Sequence, residues 1–184
     1  VEIGMRRGIQ MRIGVIGRVE RDMFGANVID AVQDAGHIAV PLGPAQASHP
    51  RVITGGLASL TLQVLPRLDQ RAQQRIVRAA ADAACELVIS VDARLMPESI
   101  VGLRRNGARV ALWFPDHMAS LGRALMLIAP YDALFFKEPQ LVDRLRAMLD
   151  LPVYYLPEAC NPRFHRPAVP AGSEPYLVIA GNMY

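Results

Sequence analysis

Ala108-Arg109-Val110-Ala111-Leu112-Trp113-Phe114-Pro115-Asp116-His117 is the stretch on which the fold turns. Its first half is a short run of β-branched and large apolar residues, which reads as a strand buried on both faces. Its second half breaks into Pro-Asp-His, and the residue before a proline is pushed out of helical geometry. A buried strand therefore delivers a carboxylate, Asp116, and an imidazole, His117, to its carboxyl end. If it belongs to an open parallel sheet, the crevice outside the carboxyl ends of the strands is where a ligand binds.

The same pattern repeats on both sides of that strand. Upstream, Pro97 begins a helix that Asn106-Gly107 stops, and Glu86-Leu87-Val88-Ile89-Ser90-Val91 is a strand with Asp92 at its end. Before it, residues 57–84 have helical period, divided by Pro66. Ile76, Ala80 and Ala83 share one face, and Arg71, Gln74, Arg75 and Arg78 form a solvated one. Residues 41–56 make an irregular loop, long enough to be functional or mobile in a compact domain. The chain opens with a lead-in over residues 1–10, Met11 being a candidate start, and a first strand, Met11 to Gly17. A helix capped by Asp22 follows, with Phe24, Val28, Ala31, Val32 and Ala35 at three- and four-residue spacing. Gly36 ends it, and His37 to Val40 is a second strand closed by Pro41.

Downstream, Ser120 to Ala129 reads as a short apolar helix. Pro130-Tyr131-Asp132 then leads into a fifth strand, Ala133 to Phe136. A helix with Leu141, Val142, Leu145, Met148 and Leu149 on one face comes next, and Val153 to Leu156 is a sixth strand closed by Pro157. Strand and helix alternate six times, so residues 11–157 are expected to form a doubly wound, Rossmann-like α/β domain with a parallel sheet of about six strands. The default strand order for that class is 3-2-1-4-5-6.

Composition excludes several classes. With 52% hydrophobic and 20% charged residues in 184, the chain buries a sizeable core and is not disordered. Its net charge of +3 is mild. The basic residues are not gathered with aromatics into one stripe, so a nucleic-acid groove is not expected. Weak attraction of the exposed basic side chains to an anionic membrane surface is compatible with this charge. No run of 18 apolar residues and no signal peptide is found, which points to the cytoplasm. The two cysteines lack metal-ligand spacing: Cys85 reads as a small core residue, Cys160 as a loop thiol. Gly17-Arg18-Val19 with Gly25 is not a G-x-G-x-x-G fingerprint, so no dinucleotide is expected, and no metal or other cofactor. The glycines fit a tight strand-to-helix turn, and the loop could also admit a substrate close to its backbone.

After Leu156 the composition changes. Residues 158–175 are proline-rich and read as a linker. Tyr176 to Ala180 is a new apolar strand, so residues 176–184 are taken as the start of a truncated second domain. That strand is expected to be poorly packed or to pair elsewhere.

Three segments carry a resemblance: Val110-Ala-Leu-Trp-Phe-Pro-Asp116-His117, Tyr131-Asp132-Ala-Leu-Phe-Phe136, and Leu156-Pro-Glu-Ala-Cys-Asn-Pro-Arg-Phe-His-Arg-Pro167 with Ile179-Ala-Gly-Asn-Met-Tyr184. Across residues 11–184 the chain resembles the N-terminal domain of a GT-B-type glycosyltransferase of the spore-maturation, CgeB-like group. The linker is the most specific part. The resemblance implies two Rossmann-like domains with the site between them. The missing C-terminal domain would hold most of a nucleotide-sugar donor and this domain mostly the acceptor substrate, so the 184 residues alone are expected to be inactive.

On that reading Asp116 and His117 are the candidate catalytic pair. A sugar transfer needs the acceptor hydroxyl deprotonated, which a carboxylate or imidazole at a cleft edge can do. Their plain alternatives are a turn or helix cap for Asp116 and a backbone bond for His117. Gly17, Arg18, Asp92 and Glu158 are the candidate substrate-binding residues. Arg18 could meet a phosphate or face solvent, Asp92 could line the crevice or cap the turn before Pro97, and Glu158 could bond a sugar or hold the linker. The competing reading is a non-catalytic α/β module that binds a ligand or partner, of the response-regulator or periplasmic-binding-lobe kind. A response regulator would show an acidic pair after its first strand, where Gly17-Arg18 stands, and a lysine after its fifth, where Lys137 does stand.

Overall fold

A computed structural model describes residues 9–21, 23–45, 66–92, 94–116 and 127–163. In chain order they form β1 (Arg12–Ile16), α1 (Phe24–Asp34), β2 (Ile38–Gly43), α2 (Pro66–Asp82), β3 (Leu87–Ser90), α3 (Pro97–Arg105), β4 (Arg109–Phe114), β5 (Ala133–Phe136), α4 (Pro139–Met148) and β6 (Val153–Tyr155). Every strand pairing is parallel. The six strands make one sheet with helices on both faces, the doubly wound α/β fold expected from the alternation.

The strand order is β2-β1-β3-β4-β5-β6, not 3-2-1-4-5-6. β1 is flanked by β2 and β3, so the chain reverses its direction of travel across the sheet immediately after β2. A mark of this order is Pro41. It lies inside β2, opposite Val15, instead of closing the strand. Proline lacks a ladder donor and is tolerated on edge strands and at bulges; β2 is an edge, and its register with β1 shifts just after Pro41.

The sheet's two faces are unequal. Ile16, Val88, Val110, Leu112, Phe114, Leu134, Phe136 and Val153 point to one side, against Ile76 and Ala80 of α2, Ile100 and Leu103 of α3, and Val142 and Leu145 of α4. Ile13 and Val15 point to the other, where Val28 and Val32 of α1 cover them, with Phe24, Ile89 and Trp113 partly buried alongside. Met148, expected on the packed face of α4, is the last residue of that helix and is 78% exposed. Cys85 is buried as expected, and burial pushes its thiol up, opposed in part by Arg12.

Helix ends follow local chemistry with two departures. Gly36 (φ +83°) ends α1 and Gly107 (φ +90°) ends α3 in the left-handed region. Ala84 (φ +49°) does the same service after α2 despite its Cβ. Met23, with extended backbone, is the residue before α1, and it has no side-chain cap. Asp22 lies outside the described residues. So do the loop 46–56, most of the helix expected over 120–129, and the strand 176–180.

At the sheet's amino edge Asp132 joins β4, α3 and β5. Its Oδ2 accepts the Val110 N–H at 2.8 Å, its own N–H donates to Val110 O at 2.8 Å, and its Oδ1 pairs with Arg104 at 3.2 Å. The Tyr-Asp start of β5 is thus a structural clasp, at the opposite end from the crevice.

Candidate functional site

The register fixes which residues share the carboxyl edge. Ile16 lies beside Ser90, Ser90 beside Leu112, Phe114 beside Phe136, and Phe136 beside Tyr155. Gly17 and Arg18 after β1, Asp92 after β3, Asp116 after β4, Lys137 after β5 and Glu158 after β6 therefore all follow carboxyl ends of parallel strands. The chain leaves β1 for α1 on one face and leaves β3 toward α3 on the other, and the point between two such strands is where ligands bind in open parallel sheets.

The loop after β1 is tight for steric reasons. A Cβ on Gly17 would stand 2.3 Å from Val91 Cγ2, and one on Gly25 would stand 2.4 Å from the Arg18 carbonyl oxygen. The Gly17 N–H donates to Gly43 O at 3.0 Å. Glycine at 17 and 25 lets the first turn of α1 close onto the end of β1. Arg18 is exposed and makes no ion pair among the described residues.

Asp92 organises its own loop. Ser90, fully buried, donates its Oγ–H to Asp92 O at 2.7 Å and accepts the Asp92 N–H at 3.3 Å. The Asp92 carboxylate accepts the Arg94 N–H at 3.1 Å. This is a turn clasp one step earlier than the cap expected before Pro97. Glu158 is engaged as well: Lys137 Nζ donates to its Oε1 at 3.4 Å, linking the exits of β5 and β6. Asp116 is exposed and has no partner among the described residues. It is the least committed carboxylate on the edge. His117 lies outside the described residues.

Sequence reasoning missed Gln73. It is 1% exposed, and its Nε2 donates to Ala45 O at 3.3 Å and to Arg94 O at 3.0 Å. Its Oε1 accepts the Met96 N–H at 2.9 Å and the Ser99 hydroxyl at 2.8 Å. One amide thus ties the exit of β2 and the loop after β3 to α2. The signal was available, since Gln73 sits three residues before Ile76 on the helix's apolar face.

A second unexpected feature is the docking of the segment after β6. Asn161 Nδ2 donates to Asn27 Oδ1 and Asp30 Oδ2, both at 2.8 Å. Arg163 Nη1 donates to Asp30 Oδ1 at 2.8 Å, and its Nη2 pairs with Asp34. Phe164, the next residue of the segment, lies outside the described residues. Beneath it is a cavity of about 140 Å³ lined by Phe24, Asn27, Val28, Trp113, Cys160 and Asn161. Phe24 meets Trp113 edge-to-face at 4.9 Å between centroids. The indole Nε1 is buried without a hydrogen-bond partner among the described residues.

No group of three His, Cys, Asp or Glu among the described residues is arranged to hold a metal ion, and no described helix is long and apolar enough to cross a membrane. Fold and edge together define a doubly wound α/β domain with Arg18, Asp92, Asp116, Lys137 and Glu158 following the carboxyl ends of its strands. Comparison with protein-family models, with curated proteins and with solved structures gives no match.

Proposed function

We propose that this chain is the acceptor-side domain of a nucleotide-sugar-dependent glycosyltransferase. The observation that carries the reading is the segment Leu156–Arg163. It has the sequence that resembles a GT-B interdomain linker, and it leaves β6 at the crevice edge before turning back to dock on α1. In this reading a second domain faces the carboxyl edge and holds the donor phosphates. Asp116, uncommitted among the described residues and exposed on that edge, receives the acceptor hydroxyl's proton or orients the hydroxyl, and His117 follows it in sequence. Glu158, already held by Lys137, sets the linker's departure instead of binding sugar.

The test uses the two-domain protein that this reading requires, with release of nucleotide from sugar donors as the assay. Asp116→Asn keeps shape and hydrogen-bonding reach and loses the charge. Turnover should fall about a hundredfold or more, the scale of general-base loss, with the melting temperature unchanged. Turnover near wild type removes the carboxylate from the mechanism, and absence of donor consumption by the wild type removes the transferase reading.

A second reading, a ligand- or partner-binding module, is favoured by the observed strand order, which places β2 and β3 on either side of β1 as in flavodoxin-like folds. Against its response-regulator form, Lys137 is paired with Glu158, and Gly17-Arg18 stands where an acidic pair is required.

A further inference from the structure

From Pro157 to Arg163 the chain carries no large apolar side chain (Pro-Glu-Ala-Cys-Asn-Pro-Arg), so hydrophobic burial does not fix its position. Its seat on α1 is made by polar groups instead. Asn27, Asp30 and Asp34 recur at three and four residues, which sets them along one flank of the helix. Asn161 and Arg163 engage all three. The Asn161 Oδ1 also accepts the Arg163 N–H at 3.0 Å, which locks the two grips together. Pro157 and Pro162 restrict the backbone on either side, favouring movement as one piece. The ionic half of the grip is open to solvent, since the Arg163 and Asp34 side chains are 45% and 61% exposed, so salt reaches it.

We propose that residues 159–163 are an ionic latch: a strap that closes the Phe24–Trp113 cleft against α1 and lifts when its charges are screened or removed. Closed, it roofs the cavity with Ala159, Cys160 and Pro162. Lifted, it opens a side of the indole to solvent and frees the segment that leads away from β6.

The chain contains its own reporters. Trp113 is its single tryptophan, Cys160 is exposed and Cys85 is buried, so a bimane attached under native conditions goes to Cys160. Tryptophan quenches bimane only near contact. The label should be dim in the 184-residue protein at low salt and bright in Trp113→Phe. It should recover brightness in Arg163→Ala, which removes two ion pairs, to Asp30 and Asp34; the loss of each lowers the closed-to-open ratio by up to about fivefold. The same recovery is expected in Asp30→Asn/Asp34→Asn, and in ~1 M NaCl, where screening shortens to about 3 Å. Acrylamide quenching of Trp113 in the unlabelled protein should rise in parallel, with circular dichroism unchanged. Equal brightness with and without Trp113 would show that the strap does not lie on the cleft. Quenching that persists in Arg163→Ala, in the double variant and in high salt would show that charge does not hold it. Either result overturns the proposal.

Discussion

Tyr131 is 5% exposed, and its hydroxyl has no hydrogen-bond partner among the described residues. Burial pushes its phenol well above the ordinary value near 10, and the negative charge of Asp92 adds to the shift. A phenol that resists ionising when folded but ionises freely when unfolded makes the unfolded state bind fewer protons at high pH. Stability is therefore whole below about pH 10 and falls above it, by up to about 1.4 kcal/mol for each pH unit from this one group. Tyr131→Phe removes both the titration and the unpaired hydroxyl. Relative to wild type, it should be equally or more stable at pH 7, by up to about 1–2 kcal/mol. Its urea midpoint should decline less between pH 10 and 11. A variant that loses stability at pH 7 would mean that the hydroxyl is bonded in solution.

Gln73 acts between elements. It is a polar residue at a core position whose two donors and one acceptor oxygen are all used, and no apolar side chain can replace those bonds. Gln73→Leu matches its size yet strands the carbonyls of Ala45 and Arg94 and the N–H of Met96. The expected cost is roughly 2–4 kcal/mol, from about 1–3 for each buried group left unpaired with some relaxation. Ser99→Ala removes only one of the four bonds and should cost about 1 kcal/mol. Chemical denaturation with the urea slope unchanged separates these from a change in the unfolded state. A Gln73→Leu cost below that of Ser99→Ala would refute the hub. Elements of this kind show where the sequence was legible. The six strands could be read because buried parallel strands are continuous apolar runs. Gln73 was readable in principle from its place three residues before Ile76. The grip of Asn161 and Arg163 on α1 was not, because it joins residues more than 100 positions apart through surface polar groups that carry no periodic signal.

At the scale of the molecule, local patterns specify strands but not the side on which the chain resumes, so the alternation of elements left the order β2-β1-β3-β4-β5-β6 open. Pro41 inside β2 was the one local clue. That order makes β1, β3, β4 and β5 interior and leaves β2 and β6 as edges. Interior strands exchange their amides only when the sheet separates, whereas an edge strand can fray alone. β6 is the weaker edge: it has three residues, Tyr154 and Tyr155 are 45% and 50% exposed, and among the described residues only β5 pairs with it. Its one buried side chain is Val153, against the α4 face, with Arg146 donating to Val153 O at 2.7 Å, while half-exposed Tyr154 lies against Phe135 and Arg146. Native-state hydrogen exchange should therefore rank protection in the order of the sheet. Val15, Val88 and Leu112 should exchange at the rate set by global unfolding, Ile38 to Val40 faster, and Tyr155 and Leu156 first. The Leu156 N–H, bonded to Phe136 O at 2.9 Å, is the link between the sheet and the strap. Arg163→Ala should speed exchange at Leu156 while leaving Leu112 unchanged, since a lifted strap pulls on β6 before it reaches the interior. Protection at Tyr155 equal to that at Leu112 would mean that β6 is covered on its outer edge in solution, and the sheet would then have one free edge instead of two.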